Sequence, residues 1–197
     1  MFNPQDFYFK KAKKEWYKAR SVFKLEEIDK KFKLFSKKEK LNILDIGCAP
    51  GSWVQYLDKI TASKSKIIWL DLKATQLNLK KTHCYVQDAT DIEKVKNILK
   101  AHNIEKLDVI TSDMAPNTIW FKDIDSIRSL ELIKSTLPLY DTFLKENWKF
   151  VIKIFMWPWF DQFVFELKQK YGWKKIKTFK PDSVRKISKE IYIIKIA

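Results

Sequence analysis

The chain has 197 residues, 46% hydrophobic and 15% aromatic, with a formal net charge of +15, three glycines and two cysteines. That length suits one domain with a full core, and no apolar run approaches the roughly 20 residues a membrane-spanning helix needs. Cys48 and Cys84 stand apart with no C-x-x-C spacing, so neither a structural zinc site nor a disulfide framework is expected. The basic excess points to a polyanionic partner, but nearly all of it is lysine: the arginines are Arg20, Arg128 and Arg185.

Residues 1–20 mix acidic and basic side chains and contain no apolar leader, so a cytoplasmic protein is expected. Lys10, Lys11, Lys13, Lys14, Lys18 and Arg20 cluster there, which reads as a basic N-terminal segment or a solvated tail ahead of a domain over 21–197. From Ser21 to Phe35, Val22, Leu25, Ile28 and Phe32 recur at three, three and four residues, the stripe of an amphipathic helix. Asn42–Ile46 reads as a buried strand and Ser52–Thr61 as a helix. Strands follow at Lys66–Leu70, Cys84–Val86, Leu107–Thr111 and Lys149–Phe155, interleaved with helices at Ile92–Ala101, Ile124–Leu144 and Phe160–Lys170. Strands at Lys175–Phe179 and Glu190–Ile196 close the chain with little helix between them. The alternation predicts an α/β fold of Rossmann type: a mainly parallel seven-stranded sheet, antiparallel at its end, with helices on both faces.

Between the first strand and its helix the chain spends two of its three glycines, in Asp45-Ile46-Gly47-Cys48-Ala49-Pro50-Gly51. Glycine permits positive φ and close backbone approach, and the following helix aims unpaired N–H groups at whatever lies above the turn. A dinucleotide turn would read G-x-G-x-x-G. Here the first tight glycine pair is missing and Asp45 adds a carboxylate, which suits a cationic or hydroxyl-rich ligand better than a pyrophosphate. An ordinary strand–turn–helix with Ser52 as cap is the other reading of the same residues. Asp71 falls 20 residues after Gly51, at the end of the second strand, where an acid can bind ribose hydroxyls.

Asp113, in Ser112-Asp113-Met114-Ala115-Pro116-Asn117, sits where Pro116 ends the fourth strand. Lys153 interrupts the apolar run Phe150-Val151-Ile152-Lys153-Ile154-Phe155. A lysine there must reach solvent, meet a carboxylate or give up its proton, because an isolated buried charge costs several kcal/mol.

The turn resembles motif I of the class I S-adenosylmethionine-dependent methyltransferases. Lys24, Asp113, Lys153 and Glu190, each in its context, resemble the Lys-Asp-Lys-Glu tetrad of the FtsJ/RrmJ (RlmE) family of RNA 2′-O-ribose methyltransferases, over about Lys18 to Ile196. The resemblance implies S-adenosyl-L-methionine as cofactor and methylation of a uridine ribose in large-subunit ribosomal RNA, in the assembled subunit, with tRNA or another RNA as the alternative substrate. An idle RNA-binding or ribosome-assembly factor on the same scaffold is the non-enzymatic alternative. It implies a monomer, with no metal and no membrane partner. It assigns Asp45, Gly47, Gly51, Trp53, Asp71, Asp88 and Asp113 to the cofactor and Lys18, Arg20 and Arg185 to RNA. Lys153 then orients or deprotonates the 2′-hydroxyl, its neutral form favoured by burial and by Lys24, with Asp113 and Glu190 holding the lysines. Two loops depart from the family pattern, Thr118-Ile119-Trp120-Phe121 and Met156-Trp157-Pro158-Trp159, whose aromatics read equally as base-stacking platforms or as core packing.

Overall fold

The computed structural model describes residues 6–75, 77–116, 122–156, 158 and 160–197. In chain order the elements are helices α1 (Phe7–Lys14) and α2 (Val22–Phe32), strand β1 (Asn42–Ile46), α3 (Ser52–Ile60), β2 (Lys66–Asp71), β3 (Thr82–Val86), α4 (Ile92–Ala101) and β4 (Leu107–Ser112). Then come α5 (Lys122–Phe143), β5 (Leu144–Phe155), α6 (Phe160–Tyr171), β6 (Ile176–Phe179) and β7 (Glu190–Lys195). The seven strands form one sheet in the order β3-β2-β1-β4-β5-β7-β6. β1 to β5 pair in parallel, and β7 runs antiparallel to both β5 and β6. This is the predicted α/β architecture. The mixed end arises because the ten residues between Phe179 and Glu190 contain no crossover helix, so β7 returns beside β6 and inserts against β5.

Period-two alternation divides the strands between two cores. Leu44, Ile68, Ile110, Ile152 and Ile193 pack under α4, α5 and α6. Ile43, Ile67, Val109, Val151 and Ile194 pack under α1, α2 and α3. Asp45, Thr111, Lys153 and Tyr192 share the second set's parity, so they face the α1–α3 layer. Two elements differ from expectation. Residues 7–14 form a helix, not a tail: Asp6 caps it by accepting from Phe9 N at 3.0 Å, Ala12 is buried, and Tyr8 packs 5.6 Å from the Phe23 ring. β5 also starts at Leu144, before its apolar run, through a separate pairing with Leu107 across a bulge.

Gly47 and Gly51 adopt φ of +71° and +98°. A Cβ on Gly47 would lie 2.7 Å from the backbone N of Met114, and one on Gly51 would collide with the Leu77 side chain. These two positions bring the β1 and β4 ends together and let the segment after β2 close over the turn.

Candidate active site

The carboxyl ends of the parallel strands open into a cavity of about 400 Å³, lined among others by Gly47, Asp71, Asp88, Asp113, Met114 and Lys153. Asp71 is the hinge pin of its floor: its carboxylate accepts from Ala49 N at 2.8 Å and from Lys73 N at 2.9 Å, tying β2 to the glycine turn. Asp88 accepts from Thr90 N at 2.9 Å, fixing the turn after β3. Three carboxylates, Asp71, Asp88 and Asp113, and two lysines, Lys73 and Lys153, therefore line one small space, a carboxylate excess that suits a cationic, hydroxyl-bearing ligand such as S-adenosylmethionine. Gly47 supplies close backbone approach where a side chain would fill the cradle.

Three residues assigned to the cofactor lie outside this lining. Asp45 is fully buried beneath it and hydrogen-bonded by Thr111 Oγ1 at 2.5 Å; burial pushes its carboxyl up to about 8, so it is mainly protonated at neutral pH. The carboxyl groups that line the cavity are thus those of Asp71, Asp88 and Asp113, not that of Asp45. Gly51 caps α3 under Leu77. Trp53 is buried behind the site, its Nε1 donating to Ser21 O at 2.8 Å and its ring 5.9 Å from that of Tyr192. It braces the start of α2, the helix that carries Lys24.

The four tetrad residues come together, and a fifth group joins them. Lys153 Nζ meets Asp113 Oδ1 at 3.0 Å and also donates to the Asp113 carbonyl. Lys24 Nζ meets Glu190 Oε1 at 2.6 Å and Oε2 at 2.9 Å. Between the pairs stands the buried Tyr192 hydroxyl, 3.2 Å from Asp113 Oδ1 and donating to Glu190 Oε1. Burial and the two carboxylates hold the Tyr192 phenol well above its usual range, so it remains a donor. The register explains the assembly: Lys153 lies directly opposite Tyr192 and Phe155 opposite Glu190 across the β5–β7 ladder, placing Lys153, Tyr192 and Glu190 on one face. Tyr192 was not singled out from sequence, because within β7 it reads as an ordinary apolar-run aromatic.

Beyond Lys24 and Glu190 lies a second cavity of about 420 Å³, lined also by Lys18, Arg20, Ser21 and Arg185. Here the three residues assigned to RNA do converge. Arg20 is ion-paired with Asp6, and Arg185 Nε lies 3.4 Å from the same carboxylate, a partner that sequence did not reveal. The Lys153–Asp113–Tyr192–Glu190–Lys24 row is therefore the wall between an acidic cavity and a basic one. Trp120, Trp157 and Trp159, with residues 118, 119 and 121, lie outside the described residues. Among the described residues no three His, Cys, Asp or Glu side chains are grouped to hold a metal ion.

The chain is similar to known proteins over nearly its whole length. The model of the family described as FtsJ-like methyltransferase matches residues 17–197. A ribosomal RNA large subunit methyltransferase E of Bdellovibrio bacteriovorus is 41% identical over 194 residues, covering 98% of this chain and 96% of its own length. Its counterpart in Pelagibacter ubique is 39% identical over 190 residues, covering 96% and 90%. The crystal structure of a ribosomal RNA methyltransferase from Plasmodium falciparum superposes with a TM-score of 0.75 at 27% identity, covering 91% of this chain and 97% of that one. Human methyltransferase-like protein 13, solved in complex with SAH, shares the fold at a TM-score of 0.60 and 12% identity, covering 86% and 82%. Because the match runs from the approach to α2 through β7, and so spans both sides of the ionic wall, this chain belongs to the FtsJ-like methyltransferase family.

Proposed function

We propose that this protein transfers a methyl group from S-adenosyl-L-methionine to the ribose 2′-hydroxyl of a uridine in large-subunit ribosomal RNA, acting on the assembled subunit. The observation that carries the reading is the ionic wall: two lysines, two carboxylates and a tyrosine separate a cavity suited to a cation from one suited to a phosphodiester chain. The names of the relatives supply the ribosomal substrate.

Gly47, Asp71, Asp88 and Asp113 would hold the cofactor, which when bound supplies an electrophilic methyl on a positively charged sulfur. Lys153 reaches the boundary of the two cavities and is the group that positions the 2′-hydroxyl and receives its proton as the methyl is transferred. Asp113 holds Lys153 from one side. Glu190 does the same for Lys24, and Tyr192 ties the two carboxylates so that neither lysine drifts. Lys18, Arg20 and Arg185 hold the RNA backbone outside. Alignment of oxygen, methyl and sulfur supplies most of the acceleration, with the proton acceptor adding about 10²–10⁴-fold.

The test is methyl transfer from labelled S-adenosylmethionine with large ribosomal subunits, naked rRNA and total tRNA offered in parallel. Label in subunit rRNA, resistant to base-level digestion, is expected. Lys153→Ala should lower it at least 100-fold with cofactor affinity kept within a few-fold, whereas Asp71→Ala should weaken cofactor binding itself. Label in tRNA instead would move the substrate, and cofactor binding without any transfer would make the protein a scaffold.

A further inference from the structure

On the far edge of the sheet, away from both cavities, the bare strand β6 runs between α6 on one face and α2 on the other. A groove of about 400 Å³ lies there, lined among others by Lys31, Phe32, Lys168, Trp173 and Lys177, with no carboxylate among its described lining residues. Trp173 is 58% exposed, yet its ring is fixed edge-on to Phe165 at 5.3 Å with Lys168 Nζ 5.8 Å from its centroid. On the other bank Lys31 Nζ stands 4.1 Å from the Phe179 ring, which packs edge-on against Phe32 at 5.9 Å. Residues 165–180 carry six lysines against one glutamate.

An exposed indole costs solvation, and a positioned ring flanked by ammonium groups is the arrangement that accepts an unpaired base on its face and the adjoining phosphates at its sides. One helix links the groove to the ionic wall, since α2 carries both Lys24 and Lys31. Lys24 and Lys31 are seven residues apart, two turns of α2 on the same stripe, which separates them by about 10 Å along the axis. That is about three stacked nucleotides at about 3.4 Å each. Phe179, at the other bank, lies directly opposite Tyr192 in the β6–β7 ladder.

We propose that this groove is a second RNA-docking site that takes unpaired nucleotides of the strand whose ribose lies at Lys153, with Trp173 as the stacking platform and Lys31, Lys168 and Lys177 as phosphate contacts. The proposal rests on the RNA reading of the catalytic site and extends it to a surface that the tetrad and the cofactor cavity do not touch. It makes substrate selection depend on single-stranded RNA a few nucleotides from the target.

The experiment is equilibrium binding of a fluorescein-labelled 20-nucleotide uridine-rich single strand to the full chain, followed by anisotropy, with the same sequence as duplex for comparison. Trp173→Ala should weaken single-strand binding at least fivefold and Trp173→Phe less than twofold, with melting temperatures within 2 °C of the parent, roughly the range of a neutral surface change. Should Trp173→Ala fail to fold, Lys177→Glu decides: the proposal requires weaker binding and a shallower salt dependence, by about 0.7 for each phosphate no longer neutralised. Unchanged affinity in these variants, an equal weakening on duplex, or a Trp173-dependent dimer in sedimentation would each overturn it. Because the readout is binding, a protein that binds in this way but transfers no methyl group would refute the proposed activity alone.

Discussion

Tyr192 has a single hydroxyl hydrogen and two carboxylates within reach, so it couples the Lys153 and Lys24 pairs without carrying charge itself. Tyr192→Phe keeps the ring against Trp53 and removes only that donor. The expected result is a fall of roughly tenfold or more in kcat, the scale of one hydrogen bond to a charged group at about 1.5–3 kcal/mol. The KM for RNA and the cofactor affinity stay nearly constant while the pH–rate profile moves, as a positioning role demands and loss of folding does not. A second residue-scale effect concerns Asp45, whose carboxyl titrates near 4 in an unfolded chain and is pushed up to about 8 by complete burial. Below about pH 4 both states hold the proton and burial of Asp45 is not penalised electrostatically. Between about pH 4 and 8 the unfolded chain ionises while the folded one does not, so stability falls with rising pH, and the decline levels off above pH 8. Asp45→Asn removes this slope, so the variant's melting temperature relative to the parent should climb from pH 5 to pH 8. A pH-independent difference would mean that Asp45 is ionised in the fold.

The glycine turn and the last hairpin are the elements that make the site. At Gly47 an added methyl meets Met114 backbone 2.7 Å away at a φ that side chains avoid, so neither a rotamer change nor a sliding side chain relieves it. Gly47→Ala should cost about 1–3 kcal/mol of stability and weaken cofactor binding together, measured by thermal unfolding and titration calorimetry. Wild-type values for both would show that the turn is not the cradle. The buried strands and α2 were legible because each is an uninterrupted or three-to-four-spaced apolar pattern. α1 was not, because half of its residues are lysines and its packing depends on Tyr8 finding Phe23 and on Ala12 being buried, contacts no local pattern encodes. Lys153 stood out for the opposite reason, a charge inside an apolar strand.

Across the whole molecule, charge is unevenly distributed: the cavity proposed for the cofactor is lined by Asp71, Asp88 and Asp113 with Lys73 and Lys153, while the charged residues lining the cavity beyond the wall and the β6 edge are mainly lysine and arginine. RNA binding should therefore weaken steeply with salt. With the six proposed phosphate contacts, Lys18, Arg20, Arg185, Lys31, Lys168 and Lys177, at about 0.7 released ion each, raising salt from 50 to 200 mM should cost about 300-fold, whereas cofactor affinity should change little. Equal salt dependence of the two would contradict the separation of charge.

The order of strands and helices, the glycine turn and the misfit of Lys153 were present in the sequence, because apolar periodicity and out-of-pattern residues act over a few neighbours along the chain; Lys24 and Glu190 were singled out only by the resemblance to the family tetrad. Which residues meet was decided only by the tertiary structure. The antiparallel register of β5 and β7 sets Tyr192 opposite Lys153, full burial neutralises Asp45, and α1 folds back to bring Asp6 to Arg20 and Arg185. Each of these depends on distance and dielectric between segments far apart in sequence, and those quantities exist only once the sheet has closed.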